Sequence, residues 1–83
     1  MHVISRKPLI AFGVDHVDAF EPLDRWYRIA KRATWVNFAA VKADFPTADL
    51  AGKSTIFNIG GNKYRLITEI FFDTQVLGRV LTL

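Results

Sequence analysis

The fold of this chain is decided by the stretch Ser54-Thr55-Ile56-Phe57-Asn58-Ile59-Gly60-Gly61-Asn62-Lys63-Tyr64-Arg65-Leu66-Ile67. It is typical of a β-hairpin, because glycine accepts the positive φ angles that tight hairpin turns need. Side chains alternate between two faces along a strand, so pairing the arms around Gly60-Gly61 sorts them. One face carries Thr55, Phe57, Tyr64 and Leu66; the other carries Asn58, Lys63 and Arg65, with Ile56. The sequence therefore predicts one apolar face for a core and one cationic, amide-bearing face.

Two further strands are predicted around this hairpin. Strands are expected at about 54–59, 63–72 and 75–82, with a turn at Asp73-Thr74 and the strand from Lys63 to Phe72 in the centre. The pairs predicted around that turn are Val76 with Phe71, Leu77 with Ile70, Val80 with Ile67, and Leu81 with Leu66. Residues 46–53 are expected to form a loop.

The first half of the chain is predicted to be helical. Met1–Ser5 is a candidate short strand, and Ser5 is also a candidate cap for a helix over Arg6–Asp15. A second helix is expected to begin with Asp18 and Glu21 as a capping box, followed by an apolar stripe. That stripe consists of Leu23, Trp26, Tyr27 and Ala30. Thr34 is the expected cap of a third helix that ends at Phe45-Pro46. Helices followed by strands predict an α+β fold, with the helices on one face of a small antiparallel sheet.

The composition limits the classes of protein and of site that the chain can form. The chain has 83 residues, of which 51% are hydrophobic, which predicts one small domain over residues 1–83. It has no cysteine, which excludes disulfides and thiolate metal sites within it, and no apolar run approaches the ~18 residues of a membrane span. The absence of cysteine and of a signal peptide pattern predicts a cytoplasmic protein. A net charge of +3 favours an anionic partner, with RNA or the ribosome as the usual candidates.

The cationic face of the hairpin is the main candidate site. Asn58, Lys63 and Arg65 are expected to converge there. Arginine grips phosphate with a planar fork, and lysine adds a point charge. The alternative is an ordinary solvent-facing side of a sheet, which spacing alone does not exclude.

A basic ridge is expected on the second helix. It consists of Arg25, Arg28, Lys31 and Arg32. It would contact an RNA backbone or an acidic partner, or else be paired locally through Glu21–Arg25 and Asp24–Arg28 at i, i+4. His2 and His16 are expected to be exposed, and the helical aromatic residues are expected in the core.

Three blocks of the sequence resemble the HigB family of bacterial toxins, a branch of the RelE-like group. They are Met1–Lys7, Phe45–Asp49 and Phe57–Ile67, and the resemblance runs from residue 1 to about residue 76. It implies a RelE-like fold and a type II toxin that acts as a ribosome-dependent mRNA endonuclease, with no cofactor. The implied partners are mRNA on the ribosome and a HigA-type helix-turn-helix antitoxin, through which alone the toxin would reach operator DNA.

The resemblance also implies roles for individual residues. Arg65 and Lys63 would be the catalytic contacts to phosphate, and Asn58 and Asn62 would orient the site. Lys53 and Arg79 are further candidates for RNA contact, and no metal ligand is implied. The implied reaction is attack by a ribose 2′-OH on its own 3′-phosphate.

The sequence departs from the family at its last strand. Family members generally continue through a Thr-His pair and a tail with Glu-Tyr-Asp, whereas here Leu83 stands where the histidine is expected. The missing histidine and tyrosine would be natural candidates for acid and base. One alternative is therefore a HigB-like protein that binds antitoxin, ribosome or RNA without cleaving it. Another is a truncated or frame-shifted gene product.

Overall fold

The computed structural model describes residues 1–4 and 6–83, except for the side chain of Arg79. Its elements are β1 (His2–Val3), α1 (Arg6–Asp15), α2 (Val17–Arg32), α3 (Phe38–Asp44), β2 (Asp49–Ala51), β3 (Ser54–Ile59), β4 (Tyr64–Phe71) and β5 (Val76–Thr82). This order confirms the α+β prediction. Within the described residues, no helix combines the length and apolarity that a membrane span requires.

The five strands form one mixed sheet in the order β1-β5-β4-β3-β2. β4 is central, as predicted. Three of the four pairs of neighbours are antiparallel, as predicted, whereas β1 runs parallel to β5 and makes the sheet mixed at that edge. α2 packs against β1 and β3, and α1 packs against β5. We call the face that packs on these helices the inner face and the opposite one the outer face.

The core lies between the helices and the inner face. Trp26 of α2 meets Phe57 of β3 with ring centroids 5.3 Å apart, and Trp35 stacks on Phe57 at 6.2 Å. Leu66 and Leu77 complete the buried surface of the central strands at 0% exposure. Burying such aromatic and aliphatic side chains is the main favourable term in folding a chain of this size.

The helices differ from prediction mainly at their starts. α1 has the predicted bounds, while its candidate cap Ser5 lies outside the described residues. α2 begins at Val17 with His16 in the N-cap position, so Asp18 is not the cap. α3 is capped by Asn37, whose side chain accepts a hydrogen bond from the Ala40 N–H at 3.0 Å, and not by Thr34. α3 ends at the residue before Phe45-Pro46, as predicted.

The β3–β4 hairpin has a longer loop than predicted. Ile59 pairs with Tyr64, so the loop consists of the four residues from Gly60 to Lys63. Both glycines have positive φ, 64° and 70°. Lys63 is consequently a loop residue, and the alternation of a strand does not fix its direction. The segment 46–53 was expected to be a loop, but it contains β2, a three-residue edge strand paired with β3.

The β4–β5 register changes part-way along the strands. Phe71 pairs with Val76 and Ile70 with Leu77, as predicted. A bulge between Ile67 and Glu69 then shifts the register by one residue. Ile67 pairs with Leu81 and not with Val80, and Leu66 pairs with Thr82 and not with Leu81. The shift brings Leu83 opposite Arg65, where their backbones exchange hydrogen bonds of 3.0 and 2.9 Å.

Candidate functional site

The predicted cationic face contains a cross-strand pair, Asn58 on β3 and Arg65 on β4. They are directly opposite one another on the outer face, which confirms the predicted sorting of the hairpin for these two residues. The Cβ atoms of directly opposed residues lie about 4.5–5.5 Å apart, which is close enough for both side chains to contact one phosphate. Arg65 is exposed and forms no ion pair with any described residue. A free guanidinium beside an amide can bind a phosphodiester by charge and by two parallel hydrogen bonds.

Lys63 does not join this pair. Its ammonium forms an ion pair with Asp18 of α2. The four-residue loop allows this direction, because Lys63 precedes the first paired residue of β4. The expected convergence of Lys63 with Asn58 and Arg65 is therefore wrong, and Lys63 takes part in a different group of side chains.

That group, the hairpin–helix cluster, consists of Phe12, His16, Asp18, Lys63 and Tyr64. The Tyr64 hydroxyl donates to Asp18 Oδ1 at 2.7 Å. The His16 ring stacks on Phe12 at 4.0 Å between centroids and meets the edge of Tyr64 at 5.7 Å. Sequence reasoning missed this cluster, because it placed Asp18 in a cap, Tyr64 in the core and His16 far from the hairpin.

The electrostatics of the cluster depend on Asp18. Its hydrogen bonds from Lys63 and Tyr64 hold the Asp18 pKa below its ordinary value. The same carboxylate raises the pKa of Lys63 and the pKa of Tyr64. At neutral pH the cluster therefore holds a carboxylate, an ammonium and a neutral phenol, and the contacts with Asp18 stabilise each group in that form.

Comparison with known families adds evidence independent of this geometry. The profile of the HigB_toxin family, described as a RelE-like toxic component of a toxin–antitoxin system, matches residues 19–80, which is well over half of the chain. The chain belongs to the HigB toxin family. A search of curated proteins found no match. Membership implies an antitoxin as the partner of this HigB-family toxin.

The remaining predicted site residues lie at different distances from Arg65 in this HigB-family toxin. Asn62 is close, since its Oδ1 accepts a hydrogen bond from Asn58 Nδ2 at 3.1 Å. Lys53 is in the turn before β3, five residues from Asn58 and thus roughly 17 Å away along the strand. The structure does not bring Lys53 to the site. Arg79 belongs to β5, but its side chain lies outside the described part of the chain.

The basic ridge of α2 is only partly paired. Arg28 forms the predicted ion pair with Asp24 at 3.0 Å. The predicted Glu21–Arg25 pair is absent among the ion pairs of the described residues, so that expectation is wrong. Arg25 is thereby left as an exposed cation that forms no ion pair with any carboxylate the structure describes. Among the described residues, no group of three or more histidine or acidic side chains is arranged to hold a metal ion.

The chemistry available is divided between the two faces of β4. Arg65 points to the outer face, while its neighbour Tyr64 points inward to Asp18. A cation that can contact a phosphate lies on the outer face, and the ionisable groups of the hairpin–helix cluster lie around the end of the hairpin. A substrate that uses both must wrap the loop from Gly60 to Lys63.

Proposed function

We propose that this HigB-family toxin inhibits translation by cleaving mRNA on the ribosome, in the cytoplasm. We propose further that a HigA-type antitoxin with a helix-turn-helix domain neutralises it, and that the toxin reaches operator DNA only through that antitoxin. The observation that carries the proposal is the Asn58–Arg65 pair on the outer face of the sheet. Its half-buried amide lies next to an exposed guanidinium that forms no ion pair with a described residue.

The reaction we propose is an internal displacement at phosphorus. The 2′-oxygen attacks its own 3′-phosphate, the bond from phosphorus to the 5′-oxygen breaks, and the products are a 2′,3′-cyclic phosphate and a 5′-hydroxyl. One proton leaves the 2′-hydroxyl and one is delivered to the 5′-oxygen. Arg65 would neutralise the charge that builds on the non-bridging oxygens, and Asn58, held by Asn62, would orient the phosphate.

Lys63 has a conditional role in this proposal. Its ammonium is engaged by Asp18, so it contacts the phosphate only by exchanging that carboxylate for the ligand. The ribosome would supply the alignment of the 2′-oxygen with phosphorus, which is worth several orders of magnitude in rate.

A second function, binding without cleavage, is favoured by the division between the two faces. His16 and Tyr64 lie with the helices, whereas Arg65 faces the other way. A protein of this kind would bind RNA or the antitoxin and would not cleave the phosphodiester.

Arg65→Ala tests the proposal. Because Arg65 is exposed and unpaired, the variant should keep its fold and lose about 10²–10³ in cleavage rate, the usual cost of removing one donor to a transition-state oxyanion. The measurement is primer extension on translated mRNA, together with growth inhibition. Arg28→Ala, which removes a cation already paired with Asp24, is the control and should retain cleavage.

Full toxicity of Arg65→Ala would refute the assignment of Arg65. The wild-type chain separates the two functions. New cleavage sites in translated mRNA exclude binding alone, while tight antitoxin binding without any cleavage excludes the endonuclease.

A further inference from the structure

A cleft of about 220 Å³ lies between α2 and the open edge of β3. Its wall on the α2 side includes Arg25, Trp26 and Ile29, and Phe45 also lines it. Asn58 and the two loop glycines form the wall on the sheet side. Asn58 therefore belongs both to the outer-face pair with Arg65 and to this cleft.

The backbone N–H and C=O of Asn58 point towards the edge of β3, at a position beyond the end of β2. Arg65 exchanges its backbone hydrogen bonds with Leu83 on the β5 side. In an antiparallel ladder, a residue bonded to one neighbour strand turns its backbone groups away from the other, so the Asn58–Arg65 pair is not hydrogen-bonded. Asn58 thus points its N–H and C=O away from β4. β2 pairs only as far as Ile56, and no described backbone group bonds Asn58 there.

One residue of the cleft lining, Trp26, carries an unused hydrogen-bond donor. Trp26 is 1% exposed, and its indole N–H has no hydrogen-bond partner among the described residues. The chain's other tryptophan shows the ordinary arrangement, since Trp35 Nε1 donates to Asp44 at 2.9 Å. Buried donors without a protein partner are rare in folded proteins, and such a donor is free to bond an acceptor atom of a water or a ligand.

The charge of the cleft indicates what kind of ligand it can bind. Arg25 is the one charged residue among its lining residues, and it has no ion pair with a described carboxylate. The rest of the lining includes the backbone N–H and C=O of Asn58, the Trp26 indole N–H and the apolar side chains of Ile29 and Phe45. This combination suits a ligand with a single negative charge, acceptor atoms and a flat apolar body, which is the description of one nucleotide in a phosphodiester chain.

We propose that this cleft binds one nucleotide of single-stranded RNA, adjacent to the nucleotide whose phosphate lies at Asn58 and Arg65. Arg25 contacts its phosphate, and its base supplies the acceptor for the Trp26 indole N–H. The RNA strand then bends around the free edge of β3, with Asn58 as the shared contact. The inference rests on the proposed function, because it assumes that RNA lies on the outer face.

The test uses the full chain and a single-stranded tetranucleotide with 2′-O-methyl riboses, which binds but has no 2′-hydroxyl to attack. ¹H–¹⁵N spectra during titration follow the two indole N–H signals and the backbone amides of Asn58 and Arg65. The Trp26 indole signal should shift together with those amides, while the Trp35 indole signal should stay in place because its donor is occupied by Asp44.

Two matched variants locate the phosphate contact. Arg25→Gln should abolish the Trp26 shift and reduce the slope of log affinity against log salt concentration by about 0.7, the loss of one single-strand phosphate contact. Arg28→Gln lies one turn further along the same helix, is paired with Asp24 and is outside the cleft lining. It should leave the Trp26 shift and the salt slope unchanged.

The outcomes separate this inference from the proposed function. Shifts at Asn58 and Arg65 without a shift at Trp26 overturn the nucleotide cleft and leave the outer-face site standing. A titration in which none of these signals moves refutes RNA binding at the hairpin altogether. If purified antitoxin moves the Trp26 indole signal and the tetranucleotide does not, the cleft is a protein-binding site and the inference is wrong.

Discussion

Asp18 is the residue on which the other polar members of the hairpin–helix cluster depend. It accepts the Tyr64 hydroxyl and pairs with the Lys63 ammonium, so one carboxylate joins the start of α2 to the end of the hairpin. Both contacts are exposed to solvent, which limits their effect on stability. Their effect on ionisation is direct, since each partner of the carboxylate is held in its protonated form.

Asp18→Asn should lower the pKa of Tyr64 and the pKa of Lys63 towards their ordinary values. The neutral amide removes the negative charge that opposes ionisation of the phenol and favours the ammonium. The measurement is a ¹³Cζ titration of tyrosine in a Tyr27→Phe background, where Tyr64 is the remaining tyrosine. An unchanged Tyr64 pKa in Asp18→Asn would show that the hydrogen bond to Asp18 does not form in solution.

The same cluster gives stability a defined dependence on pH. The Asp18 pKa is lowered by folding, so its contribution is present above about pH 4 and is lost as pH falls through the lower folded value. The pKa values of Tyr64 and Lys63 are raised, so their contributions are present below about pH 10 and are lost as pH rises through the folded values. Urea midpoints against pH should therefore fall less steeply at both ends in Asp18→Asn than in the wild type.

Packing between elements is tightest at two glycines, Gly13 of α1 and Gly78 of β5. A Cβ added at Gly13 would lie 2.9 Å from Phe20 Cδ2 and 3.2 Å from Phe20 Cα on α2. A Cβ added at Gly78 would lie 2.9 Å from Ile4 Cδ1. The shortest distances are equal, but the neighbour at Gly13 includes backbone, whereas the neighbour at Gly78 is the end of a flexible side chain that is 57% exposed.

Gly13→Ala should accordingly destabilise the protein, although alanine is the better helix former by about 1 kcal/mol. Separating α1 from α2 costs about 1–3 kcal/mol, the range for overpacked sites, and outweighs that gain. Gly78→Ala should change stability by less than about 0.5 kcal/mol, because Ile4 can turn aside. Urea unfolding measures both stability changes, provided that the m-values do not change. A Gly13→Ala variant that is more stable than the wild type would contradict the close approach of the two helices.

The sequence predicted those elements whose signals are local. The bounds of α1 and the first pairs of the β4–β5 turn follow from spacing and turn residues alone. β2 was missed because its three residues lie among turn formers and gain their conformation from β3. The register of β5 beyond Gly78 was missed because a bulge adds a residue without a recognisable pattern.

The same is true of the site, where features with a local sequence signal were predicted and long-range contacts were not. Alternation along β3 and β4 correctly placed Asn58 and Arg65 on the same face, but pairing the arms around Gly60-Gly61 put Lys63 and not Arg65 opposite Asn58. The contact of Tyr64 with Asp18 joins residues 46 positions apart, and no local pattern encodes it. Lys63 was misplaced because the two glycines suggested a two-residue turn, and the extra loop residues released it from the strand.

At the scale of the whole molecule, one aromatic and aliphatic core holds the helices on the sheet. The free energy of unfolding of a chain of this size is expected to be about 4–12 kcal/mol. The loss of a single buried side chain therefore removes a large part of it. Leu66 lies at the centre of the sheet with 0% exposure, and Phe57 beside it contacts both tryptophans. The core and the outer-face site are therefore separated by the thickness of one strand.

Leu66→Ala should cost about 2–5 kcal/mol and lower Tm by about 10 °C or more. Its neighbour Arg65→Ala should leave Tm within a few degrees of the wild type, since Arg65 is exposed. Calorimetry on the two variants distinguishes loss of toxicity through unfolding from loss through chemistry. A similar fall of Tm in both would mean that Arg65 supports the fold and is not free for a ligand.

The parallel pairing of β1 with β5 has a consequence for synthesis. β1 precedes the three helices, and its strand partner β5 is made after the other four strands of the sheet. β4 likewise lacks one of its two neighbours until β5 has been translated. The sheet cannot close before the ribosome has translated β5. A nascent chain therefore lacks the finished five-stranded sheet until β5 has been made, and an antitoxin that needs this sheet cannot bind earlier.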